Sequence, residues 1–323
     1  MKSFYQGKHA LVTGAAGFIG SHLTDALLEA GAIVTGVDNF ITGREQNLSH
    51  LDDNESFKLI TADVSGDPSS FIPDDIDMVF HMASPASPPG YQDHPVETYL
   101  VNSIGTHNML QFLLGSNQDA RFLFASTSES YGDPLEHPQK ETYYGNVNPN
   151  GARSMYDEAK RFGEMVCGVH HASFDMDTRI IRIFNTYGPR MDPNDGRSLV
   201  EFAVHAIRNE PITVTGDGKQ TRSYCYVDDL VAGIMAMMAS EKTKGETVNL
   251  GNPHEQSMLD LIKSIQQILG SNAPIKHQPA RPDDPRQRQP DITKAKKLLD
   301  WEPNISIEQG LEKTLAYFKQ ELQ

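Results

Sequence analysis

A doubly wound α/β fold on a mostly parallel sheet is the fold class this sequence predicts. Two observations predict it. Short apolar runs alternate with segments of helical period up to residue 183. A glycine-spaced turn, Gly14-x-x-Gly17-x-x-Gly20, separates the first run from the first helical segment. Such alternation favours helices on both faces of one sheet over separate helical and sheet blocks.

Residues 10–13 are short, apolar and followed by glycines, and read as the first strand. Residues 18–29 carry helical periodicity, with Gly31 near the stop. A second strand over 33–37 ends at Asp38, and further strands are expected at 57–60 and 78–82. Pro95 opens a helix whose apolar positions include Leu100, Ile104, Met109 and Leu113. A strand at 122–125, a helix from Tyr156 to about His170 and a strand at 179–183 follow. Beyond them the pattern is less regular. Residues 199–207 and 230–238 read as helices, 212–214 as a strand, and 258–269 as a helix capped by Ser257. Residues 274–290 form a Pro- and Arg-rich excursion. Two helices end the chain, one over 293–299 and one capped by Ser306 with Gln309 at the reciprocal position. The expected organisation is a cofactor domain over 1–185, rejoined by about 223–250, with 186–222 and 251–323 as a smaller mixed lobe for the substrate.

With 323 residues and 38% hydrophobic content, the chain can bury one large core or a main domain with a smaller lobe. A net charge of -15 and a pI near 5.2 argue against a general electrostatic grip on nucleic acid or anionic membrane. Arg281, Arg286 and Arg288 still form a local basic cluster, either an anion site or a solvated loop. Cys167 and Cys225, the two cysteines, form neither a disulfide pattern nor a zinc pattern, and no metal is expected. The first strand begins too soon for a signal peptide and no run is long enough to span a membrane. A soluble cytoplasmic protein is expected.

The glycine turn differs by one residue from the Rossmann spacing but suits the same work: a tight turn, close approach to a pyrophosphate and close helix packing. Phe18 and Ile19 would open the helix behind it, beside Gly20. Asp38 and Asn39 end the second strand, where a carboxylate accepts ribose hydroxyls and repels a 2′-phosphate. NAD is therefore expected over NADP, although Arg44 is close enough in sequence to partner a phosphate. Asp63 and Val64 follow another strand and would contact adenine, or Asp63 is an ordinary loop carboxylate.

Tyr156 and Lys160 share one helix face, a spacing that also occurs on ordinary surface helices. Set beside a dinucleotide turn, they suggest a phenol that takes a hydroxyl proton while hydride leaves for a nicotinamide. A nearby cation is expected to lower the phenol from its ordinary value of about 10. Thr127, Ser128 and Glu129 follow a predicted strand, where parallel-sheet enzymes hold ligands.

Longer motifs are more specific. They include the run from Met82 to Tyr91, the run from Ser126 to Pro134, Tyr156-Asp157-Glu158-Ala159-Lys160-Arg161, the run from Ile183 to Met191, and the run from Asp283 to Ile292. With the glycine turn they resemble the extended short-chain dehydrogenase/reductase superfamily, above all the UDP-glucuronate decarboxylases, also called UDP-xylose synthases. The resemblance covers nearly the whole chain.

What the resemblance implies is a self-contained redox cycle on UDP-glucuronate or another nucleotide sugar. NAD would accept hydride from C4 as Tyr156 takes the hydroxyl proton, Lys160 would support the phenolate, and Thr127 or Ser128 would orient the hydroxyl. Carbon dioxide would leave the 4-keto sugar, and Glu129 would position water or help reprotonate C5. Arg288 would face the substrate's acidic end, Asn185, Arg190 and Arg222 the nucleotide sugar, and Pro88 and Tyr91 would close the sugar pocket. Related 4,6-dehydratases usually carry aspartate where this chain has Ser128, which favours decarboxylation. The family segment NPIGPR is Asn148-Pro149-Asn150-Gly151-Ala152-Arg153 here, Ala159 replaces a common glycine and Ser130 a common valine. These departures bear on base and sugar preference. A 4,6-dehydratase, a 4-epimerase and a noncatalytic sensor of NAD or nucleotide sugar are the competing readings. The resemblance also implies a homodimer built on the helices near 96–114 and 155–169.

Overall fold

A computed structural model describes residues 2–279 and 288–323. Seven strands form one sheet: β1 (His9–Thr13), β2 (Ile33–Asp38), β3 (Phe57–Thr61), β4 (Met78–His81), β5 (Arg121–Thr127), β6 (Thr178–Ile183) and β7 (Thr247–Leu250). Every pairing in it is parallel, and the order is β7-β6-β5-β4-β1-β2-β3. Strand order reverses between β1 and β4, opening a crevice at their carboxyl ends. Burial on both faces is why β1 and β4 read as unbroken apolar runs rather than alternating ones. Adjacent residues Leu11 and Val12 enter opposite cores, one with Leu110, Phe122 and Val166, the other with Leu23, Leu230 and Ile234. The second core continues to Leu261, Ile265, Leu311 and Leu315, so the C-terminal helices share it.

Helix Phe18–Glu29 has the expected bounds, and Gly17 at its N-cap supplies no side-chain hydrogen bond. The first amides of that helix are thus left for a ligand. Strand β5 runs past the expected apolar stretch to Thr127 because its ladder with β6 continues to Thr127↔Ile183. The single helix expected from Pro95 is Pro95–Leu100, a π-helical turn Val101–Gly105 and Thr106–Ser116. The Asn102 amide marks the change, donating to the Thr98 carbonyl at 2.8 Å and to Ser84 Oγ at 2.9 Å. A side chain that bonds back into the ladder is a recognised cause of such a bulge.

Helix Ser154–Phe174 extends the expected helix at both ends, and β7 forms the sheet edge within the segment expected to rejoin the first domain. Helix Met258–Leu269 is capped by Ser257, and Ser306 and Gln309 form the reciprocal box on helix Ile307–Glu321. Strand Ile212–Thr215 pairs with Ile275–Gln278 inside the Pro- and Arg-rich excursion. Asp229 ties down the tail, accepting from the amides of Asn304 at 3.0 Å and Ile305 at 2.8 Å. No helix among the described residues is long and apolar enough to cross a membrane.

Candidate active site

The end of β5 and the start of helix Ser154–Phe174 meet at the crevice. Tyr156 and Lys160 lie on the helix's buried face, at 6% and 3% exposure, which separates them from an ordinary surface pair. Lys160 Nζ donates to the Ala125 carbonyl at 2.7 Å and stands 5.8 Å from the centre of the Tyr156 ring. Burial lowers its pKa to about 7, and the Glu164 carboxylate opposes that shift. Arg182 grips Glu164 through two bonds of 2.9 and 2.7 Å.

The expected depression of the Tyr156 phenol is not found. Burial pushes its pKa above the ordinary tyrosine value, with a hydrogen bond from Thr127 acting the other way. Desolvation of a phenolate outweighs a cation whose ammonium is bonded to a carbonyl. Tyr91 stacks on Tyr156, with centroids 5.1 Å apart and planes within 15°. It is carried on helix Pro88–Asp93, which Ser87 caps and Pro88 opens.

Thr127 caps the short turn Ser128–Tyr131, its hydroxyl accepting from the Glu129 amide at 3.2 Å. That turn aims Glu129 at two guanidinium groups. Arg288 takes the carboxylate with both terminal nitrogens, one of them at 3.0 Å, and Arg153 pairs with it from another side. Burial pushes the Glu129 carboxyl up, but Arg288 and Arg153 outweigh it and hold it below the usual carboxylate range. Arg153 also lies 4.0 Å from Asp157, whose pKa burial and the Glu129 charge raise to about 7. Arg288, expected to face a substrate carboxylate, is thus engaged by the protein's own. Its Nε, the Arg153 Nε and Asp157 Oδ1 have no hydrogen-bond partner among the described residues. Arg281 and Arg286, the other members of the basic cluster, lie outside the described residues.

At the opposite end of the crevice Gly14 takes φ +70°, and a Cβ there would come within 2.8 Å of Ala83 Cα. A Cβ on Gly20 would run into the Gly14 carbonyl. Both contacts require glycine. Asp38 Oδ2 accepts from the Ala16 amide at 2.9 Å and Oδ1 from the Phe40 amide at 2.8 Å. A carboxylate has about four acceptor positions, so lone pairs remain for a ribose. Asp63 accepts from the Ser65 amide and hydroxyl at 2.9 and 2.7 Å, a loop-capping role it holds without any ligand.

One cleft of about 900 Å³ joins both ends. All the cofactor residues expected from the sequence line it: Gly14, Gly17, Phe18, Ile19, Gly20, Asp38, Asn39, Asp63 and Val64. So do Thr127, Ser128, Glu129, Tyr156 and Lys160, and the substrate candidates Pro88, Tyr91, Asn185, Arg190, Arg222 and Arg288. Arg190 is partly committed, pairing with Asp25 at 2.7 Å. The glycine turn and the uncapped helix start fit the pyrophosphate of a dinucleotide, and Asp38 fits its adenosine ribose. Sequence reasoning missed Arg153 and Arg197 as wall residues of this cleft. The signal for Arg153 was a cation four residues before an acid at a helix start. Arg197, paired with Asp195 ahead of helix Ser198–Arg208, had no comparable signal.

Residues 11–314 match the family model described as GDP-mannose 4,6 dehydratase. The chain is 50% identical over 315 residues to UDP-glucuronic acid decarboxylase 2 of Arabidopsis thaliana, covering 98% of this chain and 69% of that protein. It is 48% identical over 316 residues to UDP-glucuronic acid decarboxylase 1 of Xenopus tropicalis, covering 98% and 73%. Among solved structures, the UDP-glucuronic acid 4-epimerase of Bacillus cereus in complex with UDP-glucuronic acid and NAD superposes with a TM-score of 0.88 at 33% identity, covering 97% of this chain and 99% of that one.

Proposed function

We propose that this chain, which belongs to the UDP-glucuronic acid decarboxylases within the GDP-mannose 4,6 dehydratase family, converts UDP-glucuronate to UDP-xylose with NAD as a recycled cofactor. The observation that carries the reading is the partly buried Glu129 between Arg288 and Arg153, on the same cleft as Tyr156 and beside Ser128. A hydroxyl at Ser128 is poorly suited to protonate a departing C6 hydroxyl, and a uronate has none to lose.

Gly14, Gly17, Phe18, Ile19 and Gly20 hold the pyrophosphate, Asp38 and Asn39 the adenosine ribose, and Asp63 and Val64 the adenine edge. NAD, when bound, would supply a hydride sink for C4 and give the hydride back, so no net reductant would be consumed. Tyr156 takes the C4 hydroxyl proton, with Thr127 or Ser128 orienting that hydroxyl. Burial of Tyr156 favours the neutral phenol, so it accepts a proton strongly once ionised. Lys160 holds the nicotinamide ribose and supports the phenolate. The substrate carboxylate, β to the C4 ketone, then leaves as carbon dioxide while its bonding pair passes into an enolate.

Arg288 meets that carboxylate in exchange for Glu129, and its grip must slacken as the charge is lost. Glu129, released from one guanidinium, positions the proton source for C5. Tyr156 finally gives its proton back to the C4 oxygen. Asn185, Arg190 and Arg222 take the nucleotide sugar, with Pro88 and Tyr91 over the ring. In this reading residues 1–185 and about 223–250 carry the cofactor, and 186–222 and 251–323 carry the substrate. The exposed side chains of Val96, Tyr99 and Ile104 on one helical segment and Phe162, Met165 and Val169 on another support a homodimer. Light scattering giving only monomer would oppose it.

Incubation with UDP-glucuronate tests the reaction. Carbon dioxide and a nucleotide pentose are expected without stoichiometric NADH. Retention of all six sugar carbons would replace the reading with a 4-epimerase or a 4,6-dehydratase.

A further inference from the structure

The loop after β2 carries a cation at the adenosine end of the cleft. Arg44 lines that cleft beside Asp38 and Asn39, and its amide is anchored to the Ala16 carbonyl at 3.0 Å. The residue before it presses on the acid, since a Cβ on Gly43 would lie 2.6 Å from Asp38 Oδ1. An arginine so placed is a natural partner for a ribose 2′-phosphate. Its guanidinium is nonetheless held from the far side. Glu321, in the last turn of helix Ile307–Glu321, pairs with Nη2. The Tyr317 hydroxyl accepts from Nη1 at 3.2 Å, and Gln46 donates to the same Glu321 oxygen at 2.8 Å. Both charged side chains are 23% exposed, so solvent screens the pair only in part.

We propose that Glu321, acting through Arg44, is a positioning residue for cofactor choice: the C-terminal helix holds the loop cation away from the ribose and so denies NADP a phosphate partner. The inference rests on the reading that this end of the cleft binds a nicotinamide dinucleotide. Asp38 repels a 2′-phosphate directly, whereas Glu321 works by occupying the loop cation that would offset that repulsion. Two segments far apart in the chain thus set one preference, the partners of the bridge standing 277 positions apart in sequence.

The test is calorimetric titration of the protein, stripped of bound nucleotide, with NAD and with NADP. Glu321→Gln is expected to tighten NADP binding by about tenfold and to leave NAD within about twofold. The gain should shrink in high salt and vanish in the Arg44→Ala/Glu321→Gln double variant. Arg44→Ala alone should change NADP binding by about twofold or less, because the cation is already occupied. An unchanged NADP affinity in Glu321→Gln overturns the proposal, as does a gain that survives without Arg44. A roughly tenfold loss of NADP affinity in Arg44→Ala alone also overturns it, and that arm stands even if Glu321 is needed to dock the helix. Wild-type protein that binds neither dinucleotide would instead defeat the cofactor reading itself.

Discussion

The two ends of the cleft are built by opposite means. The cofactor end comes from one stretch of chain between Gly14 and Val64, and backbone shapes it: a left-handed glycine, a helix start without a side-chain cap, and amides that orient Asp38. The charged end draws Glu129, Arg153 and Arg288 from three distant segments, and side-chain electrostatics shapes it. A site shaped by backbone is sensitive to an added atom. A site made of charges depends on each partner and on every proton. The difference predicts which substitutions abolish chemistry, which abolish binding and which only retune.

Tyr156→Phe should separate the ends most sharply. Losing the phenol removes proton transfer, and a fall in turnover of about a thousandfold or more is expected. NAD affinity should stay within about threefold, because the pyrophosphate and ribose contacts are elsewhere. Single-turnover carbon dioxide release beside a cofactor titration measures both. Parallel loss of both would mean that Tyr156 belongs to the scaffold and that the two ends are not separable.

Arg288→Met comes next. It leaves Glu129 enclosed with only Arg153 to balance it, so the depressed carboxyl should rise toward neutrality. Turnover should drop by about a hundredfold, and stability should fall by about 1–3 kcal/mol because Glu129 loses one partner and keeps Arg153. Denaturant melts and initial rates report the two effects. Full activity in this variant would remove Arg288 from the substrate end and leave it a prop for Glu129.

Legibility in the sequence follows the same division. The placement of Gly14, Gly20, Asp38, Tyr156 and Lys160 on the cleft was readable because each stands with near neighbours, at spacings that a strand, a turn or a helix dictates. Capping by Ser257 and the box of Ser306 with Gln309 were readable for the same reason. Arg197 was not, and Arg153 showed only its local acid Asp157, because the pairing with Glu129 comes from tertiary packing. The direction of the Tyr156 shift was misread on similar grounds: spacing shows that Lys160 is near, but not that packing buries the phenol enough for desolvation to outweigh the cation. The π-helical turn carries Asn102, whose amide bonds Ser84, a long-range partner that no helical pattern reveals.

Gly20→Ala probes the backbone end. The added methyl meets the Gly14 carbonyl with no flexible side chain to yield, so the turn must shift. NAD affinity should weaken by about tenfold or more, with a stability loss of roughly 1–3 kcal/mol. The pKa-dependent behaviour of the charged end should be untouched, and a cofactor titration at two pH values checks this. A pH-dependent defect would show that the ends communicate.

The smallest effect is expected from Asp157→Asn. Asp157 sits beside Glu129 and Arg153, and burial followed by the Glu129 charge lifts its carboxyl to about 7. In the unfolded chain the same group titrates near its ordinary value of about 4. Between those values the native state holds a proton that the unfolded state has lost, so stability contributed below pH 4 declines as pH rises toward 7. Glu129 carries the opposite sign: its depressed carboxyl adds stability that is present above its ordinary range and is lost only in more acid solution. Asparagine cannot titrate. The variant should therefore lose the decline between pH 4 and 7, and gain stability on wild type at neutral pH relative to pH 4. Unfolding followed at several pH values measures that difference. Parallel stability curves for the two proteins would show that Asp157 is ionised in the native state and that Arg153 serves it as fully as it serves Glu129.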